Sequence, residues 1–226
     1  WPAASVGDDI EIYADESREQ VLMTWRGLRM QSERPVVDGV RRPNRCLADF
    51  VAPKSSGVAD HVGLFAVTAG LGVEKKEKQF LDDHDDYSAI MLKALADRLA
   101  EAFAERLHQR VRTEFWGYAK GEALSNDDLI AEQYQGIRPA PGYPACPDHT
   151  PKRALFAVLG VAELGMGLTE SLAMTPASSV SGFYIAHPDA TYFNVGTIGQ
   201  DQLLDWAQRN GMDATLAERA LAPSLG

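Results

Sequence analysis

Between residues 86 and 115 an apolar side chain recurs at every fourth position: Met91, Leu95, Leu99, Phe103, Leu107, Val111 and Phe115. That spacing predicts one long helix. A step of four drifts about 40° around a 3.6-residue helix, so the stripe winds around the rod and needs different covering neighbours along its length. At ~1.5 Å per residue the rod is about 45 Å long, the spine of the fold. The acidic run at residues 82–86 precedes it, where carboxylates complement the helix dipole. Residues 61–70, "HVGLFAVTAG", are rich in β-formers and read as a strand buried on both faces.

The remaining pattern is more broken. Residues 17–33 carry a weak helical periodicity. "RPNRCLADFVAP" has prolines near both ends and reads as a loop with a short extended piece. Ser125 is placed to cap a short helix with Asp127 and Asp128 in its first turn. Thr150 and Pro151 make an N-cap and first position for another. "SVSGFYIAHPDATYFNVGTIG" predicts a hairpin of two strands around Pro188 and Asp189. "QDQLLDWAQRNG" is a helix stopped by Gly211, and "ATLAERAL" a last short one. Helices and strands mix without β-α-β alternation, so the fold class is α+β, not a Rossmann arrangement. No repeat or linker divides the chain, and one domain is expected over residues 1–226.

Composition narrows the function. At 45% hydrophobic and 24% charged residues the chain reads as an ordinary folded protein. No apolar run approaches the roughly 20 residues of a membrane helix, so no membrane partner is expected. The formal net charge is −10, which repels phosphate backbones and argues against nucleic acid. Basic residues nevertheless cluster at Arg41, Arg42 and Arg45, and at Lys75, Lys76 and Lys78, either as solvated loops or as docking patches for an acidic partner. Cys46 and Cys146 lie far apart in sequence, and the five histidines do not gather around them. No metal site is expected, and both read as reduced thiols of a cytoplasmic protein. The acidic N-terminal stretch has no basic n-region and is not a signal peptide, though it is compatible with the cut end of a longer polypeptide. "GLGVEK" and "GMGLTE" lack the third glycine of a dinucleotide fingerprint, and neither a phosphate loop nor a G-x-S-x-G elbow occurs. "DDHDDY" has the look of metal ligands but is the ordinary composition of a solvated helix start.

One stretch stands apart. "RPAPGYPACPDHT", residues 138–150, holds four prolines, a glycine, a tyrosine, a cysteine and a histidine. Proline fixes φ and removes a donor, so Pro139, Pro141, Pro144 and Pro147 should hold the loop extended with its free backbone groups aimed in fixed directions. Gly142 permits a close approach to the backbone. Arg138 offers a planar fork for a carboxylate or phosphate, and Tyr143 a ring face and a hydroxyl. Physical chemistry alone leaves two readings open, a rigid connector between helices or a ligand cradle.

"GIRPAPGYPACPDHT" resembles the signature of the C-terminal activation domain of cobalamin-dependent methionine synthase. "CLADFVAP", "DDYSAIMLKALADRLAEAFAERLHQRVR", "WGYA", "LTESLAM", "SVSGFYIAHPD" and "LAPSLG" are similar to the same family. The resemblance spans residues 10–226 and departs noticeably only at residues 18–42. It implies a single α+β domain with a curved, mainly antiparallel sheet and flanking helices. It implies S-adenosylmethionine as ligand, and a role in methylating cobalamin that has slipped to the inactive cob(II)alamin state, with an electron from flavodoxin or a similar donor. The cobalamin-binding domain of the same polypeptide would be the partner. The cobalamin signature D-x-H-x-x-G is missing here, because Tyr87 stands where its glycine is required. The zinc that activates homocysteine would belong to another domain absent from this chain. Full turnover is therefore not expected of these residues alone.

Site residues follow from the same resemblance. Arg138 matches the family's arginine for the ligand carboxylate. Asp49 and Glu101 match acidic positions facing its ammonium and sulfonium, with Asp97 one turn before Glu101 adding to the field. Ala140 and Tyr143 line the pocket, and Tyr192 and Phe193 match the pair that contacts the nucleoside. Taken singly, Asp49 could be a helix cap, Glu101 an exposed helix charge, and Tyr192 and Phe193 sheet packing. His149 is assigned no role. The alternative function is a stand-alone S-adenosylmethionine sensor without a cobalamin partner.

Overall fold

In the computed structural model, which describes residues 1–33, 36–37 and 39–226 apart from the side chains of residues 37, 40 and 41, the chain begins with strands. β1 (Pro2–Val6), β2 (Asp9–Tyr13) and β3 (Val21–Trp25) form an antiparallel meander. Two short strands, β4 (Val36–Val37) and β5 (Val40–Arg41), pair with each other. β6 (Asp60–His61) closes the other edge of the first sheet, giving the order β3-β2-β1-β6. β7 (Gly63–Thr68) leads into α1 (Val73–Asp82), α2 (Asp86–Arg110), α3 (Asn126–Ile130) and α4 (Pro151–Leu159). β8 (Gly167–Leu168) and β9 (Met174–Thr175) pair, β10 (Ser179–Tyr184) joins β7, and α5 (Gln200–Asn210) and α6 (Ala214–Leu221) complete the chain. The fold is α+β with antiparallel pairing and a long helix, as the sequence predicts.

Two compact units emerge, and both draw on discontinuous stretches. The first comprises Trp1–Gly63, Gln135–Pro151 and Phe183–Gly226. Its sheet is set by Ile10, Ile12, Met23 and Trp25, which are buried, with Ile10 opposite Trp25 and Ile12 opposite Met23. The helix expected over residues 17–33 is therefore a strand. Met23 and Trp25, two residues apart, turn one face of the strand into the core, and a helix would scatter that face. Arg18 fixes the entry to β3 by donating to the carbonyls of Ala3 (2.8 Å) and Asp60 (2.7 Å). Under α5 and α6 a second core gathers Leu28, Val195, Ile198, Leu203, Trp206 and Leu221. Buried Asp9 ties this end together, accepting from Arg26, from the Gly27 amide and from Arg209.

The second unit comprises Leu64–Tyr134 and Lys152–Gly182. α2 starts at Asp85, whose carboxylate accepts from the Ser88 amide at 2.9 Å. It runs for 25 residues and continues through a five-residue π turn, Val111–Phe115, so its extent matches the prediction. Its packing does not. The buried face consists of Ala89, Ala96, Ala100, Ala104 and His108, while Met91, Leu95, Leu99 and Phe103 point to solvent. Alanines let neighbouring backbone come close, and the large residues fall on the far side of the rod. The π turn is anchored by Arg112, 1% exposed and bidentate to Glu122 at 2.6 and 2.7 Å. The Tyr134 ring takes the Arg112 guanidinium on its face at 4.3 Å and meets His108 edge-on at 5.1 Å. β7 is shorter than the predicted strand and is not buried throughout: Gly63, Ala66 and Thr68 are half-buried, and β10 is the single strand it pairs with among the described residues. The predicted hairpin over residues 179–199 is half present. β10 forms, but residues 190–197 run as irregular backbone with an Asn194 turn, whose Oδ1 accepts from the Gly196 amide.

Candidate functional site

The proline loop belongs to the first unit, and it is folded more tightly than its prolines suggest. Ile137 and Ile185 exchange backbone hydrogen bonds of 2.9 and 3.0 Å, and the Pro139 carbonyl accepts from the Phe183 amide at 2.9 Å. Beyond Pro139 the chain turns back on itself. The Tyr143 amide donates to Ala140 O, Gly142 N–H to Cys146 O at 2.7 Å, and Cys146 N–H to Tyr143 O at 2.8 Å. The expected extended run is thus a pair of turns, with the prolines fixing corners rather than a straight segment. Trp25 Nε1 donates to Cys146 Sγ at 3.0 Å from beneath, and the Pro144 carbonyl accepts from Val195 N–H. Asp148 caps the following turn through the amide of Thr150 (2.8 Å) and its hydroxyl, and burial pushes its carboxyl above the ordinary value.

Gly142 sits at φ +95°, a region few side chains tolerate, and a Cβ there would lie 2.0 Å from His149 Cε1. The close approach the glycine permits is that of the His149 ring. His149, assigned no role by the sequence, is therefore the residue that closes the loop. No spacing rule finds it, because six residues of irregular backbone separate the two.

Around this loop the first unit gathers five of the expected side chains. The half-buried Arg138 donates its amide to the Tyr192 hydroxyl at 3.0 Å. Ala140 is buried, and Tyr143 is exposed at the tip of the turn. Tyr192 and Phe193 come from irregular chain rather than from a strand. Phe193 packs against the core beneath α5 and α6 and lies 6.4 Å from the ring of Phe50, which also meets His187 at 6.0 Å.

Asp49, the residue before Phe50, is paired with an arginine. It sits in a 3-10 turn, Leu47–Phe50, where its carboxylate accepts from the Cys46 amide at 2.9 Å and from Arg29 at 2.6 and 2.8 Å. Arg29 also holds Asp8 (2.6 Å) and the carbonyl of Asn44. Burial acts to raise the Asp49 carboxyl, but Arg29 and the Cys46 amide outweigh it and hold the group below the usual carboxylate range. Asp49 lines an open cleft of about 740 Å³ together with Ser5, Ala48, Val51, Pro53 and Lys54.

Glu101 and Asp97 belong to the second unit. They line a polar cleft of about 480 Å³ with Arg98, Ser178 and Ser179. Asp97 accepts from Ser178 Oγ at 2.6 Å, a partner 81 residues away that no local motif announces. Of the basic clusters, Lys75, Lys76 and Lys78 are exposed on α1 rather than in a loop. Lys78 pairs with Asp82 and Lys76 lies 4.5 Å above the Phe80 ring. Arg45 donates to Thr191 Oγ1, Arg42 is exposed, and the Arg41 side chain lies outside the described residues. Cys46 and Cys146 are buried free thiols, and burial pushes the Cys46 thiol up to about 12. Among the described residues no three of His, Cys, Asp and Glu gather as a metal site, and no helix is long and apolar enough to cross a membrane.

The model of one protein family, the activation domain of vitamin B12-dependent methionine synthase, matches residues 1–211. Among solved structures, a crystal structure of the MetH reactivation domain bound to AdoHcy superposes with a TM-score of 0.94. The two are 57% identical, and the match covers all of this chain and 68% of that one.

Proposed function

The chain belongs to the vitamin B12-dependent methionine synthase activation domain family, and on that premise we propose that its 226 residues act as one S-adenosylmethionine-binding module that supports reductive methylation of cob(II)alamin. The observation that carries the reading is the 57% identity, over the full length of this chain, to a reactivation domain that holds AdoHcy, the demethylated form of that ligand. S-adenosylmethionine, when bound, supplies the methyl group, and cobalamin is carried by another domain.

The residues present suit such a ligand. Arg138 supplies the cation for its carboxylate, and the Tyr192 hydroxyl that accepts the Arg138 amide fixes the start of the loop. Buried Ala140 and the turn up to Cys146 give a firm backbone edge, with Tyr143 at its exposed tip. The rings of Tyr192 and Phe193 provide the apolar surface for the nucleoside. For Glu101 and Asp97, which belong to the second unit, a part in binding rests on the family resemblance alone. Asp49, which also holds Arg29, is proposed to face the ammonium. The methyltransferase contribution of this chain is then to bind and orient the donor, with chemistry occurring at cobalt. The electron donor is flavodoxin or an equivalent, in the cytoplasm, docking on the lysines of α1.

The test mixes the chain with a cob(II)alamin-loaded cobalamin domain, reduced flavodoxin and S-adenosylmethionine labelled in its methyl group. Label should enter cobalamin only when the chain is present. Labelling that is equally fast without the chain, or absent with it, contradicts the reading.

A further inference from the structure

Cys146 stands at the centre of the proline loop. Its amide donates to the Tyr143 carbonyl at 2.8 Å and its carbonyl accepts from Gly142 N–H at 2.7 Å, so its backbone closes the turn that carries Tyr143. The residue is 2% exposed, and its thiol acts in two directions. Sγ accepts from Trp25 Nε1 at 3.0 Å, and it donates weakly to the Asp148 carbonyl at 3.9 Å. One sulfur thereby ties both turns of the loop to the sheet beneath.

Trp25 is the sheet's side of that contact. It ends β3, opposite Ile10, and is 3% exposed. Its ring lies 6.4 Å from that of Phe183, whose amide donates to the Pro139 carbonyl at the entry to the loop. Trp25 thus bears on the loop twice, through Cys146 at its middle and through Phe183 at its entry. Among Trp25, Pro139 and Phe183 a void of about 10 Å³ remains, walled also by Ile12, Leu47 and Val62. That is the lower limit of space for one water, and its walls are mostly apolar, so solvent is a poor substitute for the indole N–H. A buried indole N–H requires an acceptor wherever it sits. Here the loop supplies the acceptor, so satisfying the indole fixes the distance of the loop from the sheet. Trp25 lies within residues 18–42, where the family resemblance departs, and no family motif points to it.

We propose that Trp25 is a positioning residue for S-adenosylmethionine. Its indole N–H, acting through Cys146 Sγ, holds residues 140–146 at the height where their backbone edge and Tyr143 meet the ligand. The inference rests on the ligand reading above and assigns no chemistry to the thiol.

Titration of the 226-residue chain with S-adenosylhomocysteine tests it. Trp25→Phe keeps a ring in the core and removes the donor, and Cys146→Ala removes the acceptor. Each should weaken binding about three- to tenfold, the worth of one neutral hydrogen bond. The double variant should lose no more than the larger single loss, because both substitutions remove the same contact. In isotope-labelled wild type the indole N–H resonance of Trp25, assigned by its absence from Trp25→Phe, should move as the ligand saturates. A tryptophan that only fills the core would not show this. Undiminished affinity in Trp25→Phe, losses that add in the double variant, or a resonance that stays in place overturns the proposal and leaves the ligand reading intact. No binding by the wild type overturns the ligand reading and this proposal with it. If Trp25→Phe does not fold, Cys146→Ala decides in its place: weakened binding supports the proposal, and unchanged affinity overturns it.

Discussion

Gly142 and His149 make one structural statement between them: the ring lies where any β-carbon at 142 would have to go. Gly142→Ala should therefore force the ring aside or open the turn from Ala140 to Cys146. The expected cost is about 1–3 kcal/mol of stability, with at least tenfold weaker binding of S-adenosylhomocysteine, read by thermal unfolding and calorimetry on one preparation. Asp49 behaves differently. Its carboxyl is held below its ordinary value, so the stability it contributes is present above the unfolded value of about 3.9 and is lost as pH falls through the depressed folded value. Asp49→Asn should cost roughly 0.5–1 kcal/mol at neutral pH, since the pair is partly exposed. It should flatten the acid limb of the stability curve below about pH 4 and weaken ligand binding severalfold. Unchanged affinity alongside the loss of stability would confine Asp49 to holding Arg29. The sequence shows that an aspartate in "LADF" has a task. It does not show which, because the partner, Arg29, lies in the stretch where the family resemblance is weakest.

Elements with local signals were legible. The Ser125 cap, the helix opening at Pro151, the Gly211 stop and the length of α2 each depend on neighbours a few residues away, and each appears as expected. Elements that depend on distant pairing were not. β1 is built from Pro2, Ala3, Ala4 and Ser5, which carry little strand signal, and forms because β2 and β6 flank it. The orientation of α2 was misread for a related reason: periodicity identifies an apolar stripe but not whether that stripe or the alanine stripe faces inward. Arg112 and Glu122 show what tertiary context adds. The pair is buried, at 1% and 5% side-chain exposure, so removing one partner leaves the other charge uncompensated. Glu122→Ala should cost about 3–5 kcal/mol, measured by urea unfolding. A cost under 1 kcal/mol would mean that water reaches the pair and that it does not anchor the π turn.

Across the whole molecule the net charge of −10 is awkward for an electron donor that is itself acidic. The lysines of α1 offer a local exception, exposed and close in sequence. Lys75→Glu with Lys76→Glu should slow flavodoxin-dependent reduction severalfold in the reactivation assay, and added salt should slow the wild type in the same direction. Unchanged rates under both conditions would move the docking site elsewhere while leaving the ligand reading intact. That reading itself is met most directly by titrating S-adenosylhomocysteine into the 226-residue chain and into Arg138→Ala. A charge-assisted hydrogen bond is worth about 1.5–3 kcal/mol, or roughly ten- to hundred-fold in affinity. The account predicts micromolar-range binding by the wild type and a loss of that size in the variant, with the unfolding temperature of the two nearly equal. No heat from the wild type at millimolar ligand, or undiminished binding by the variant, would contradict it.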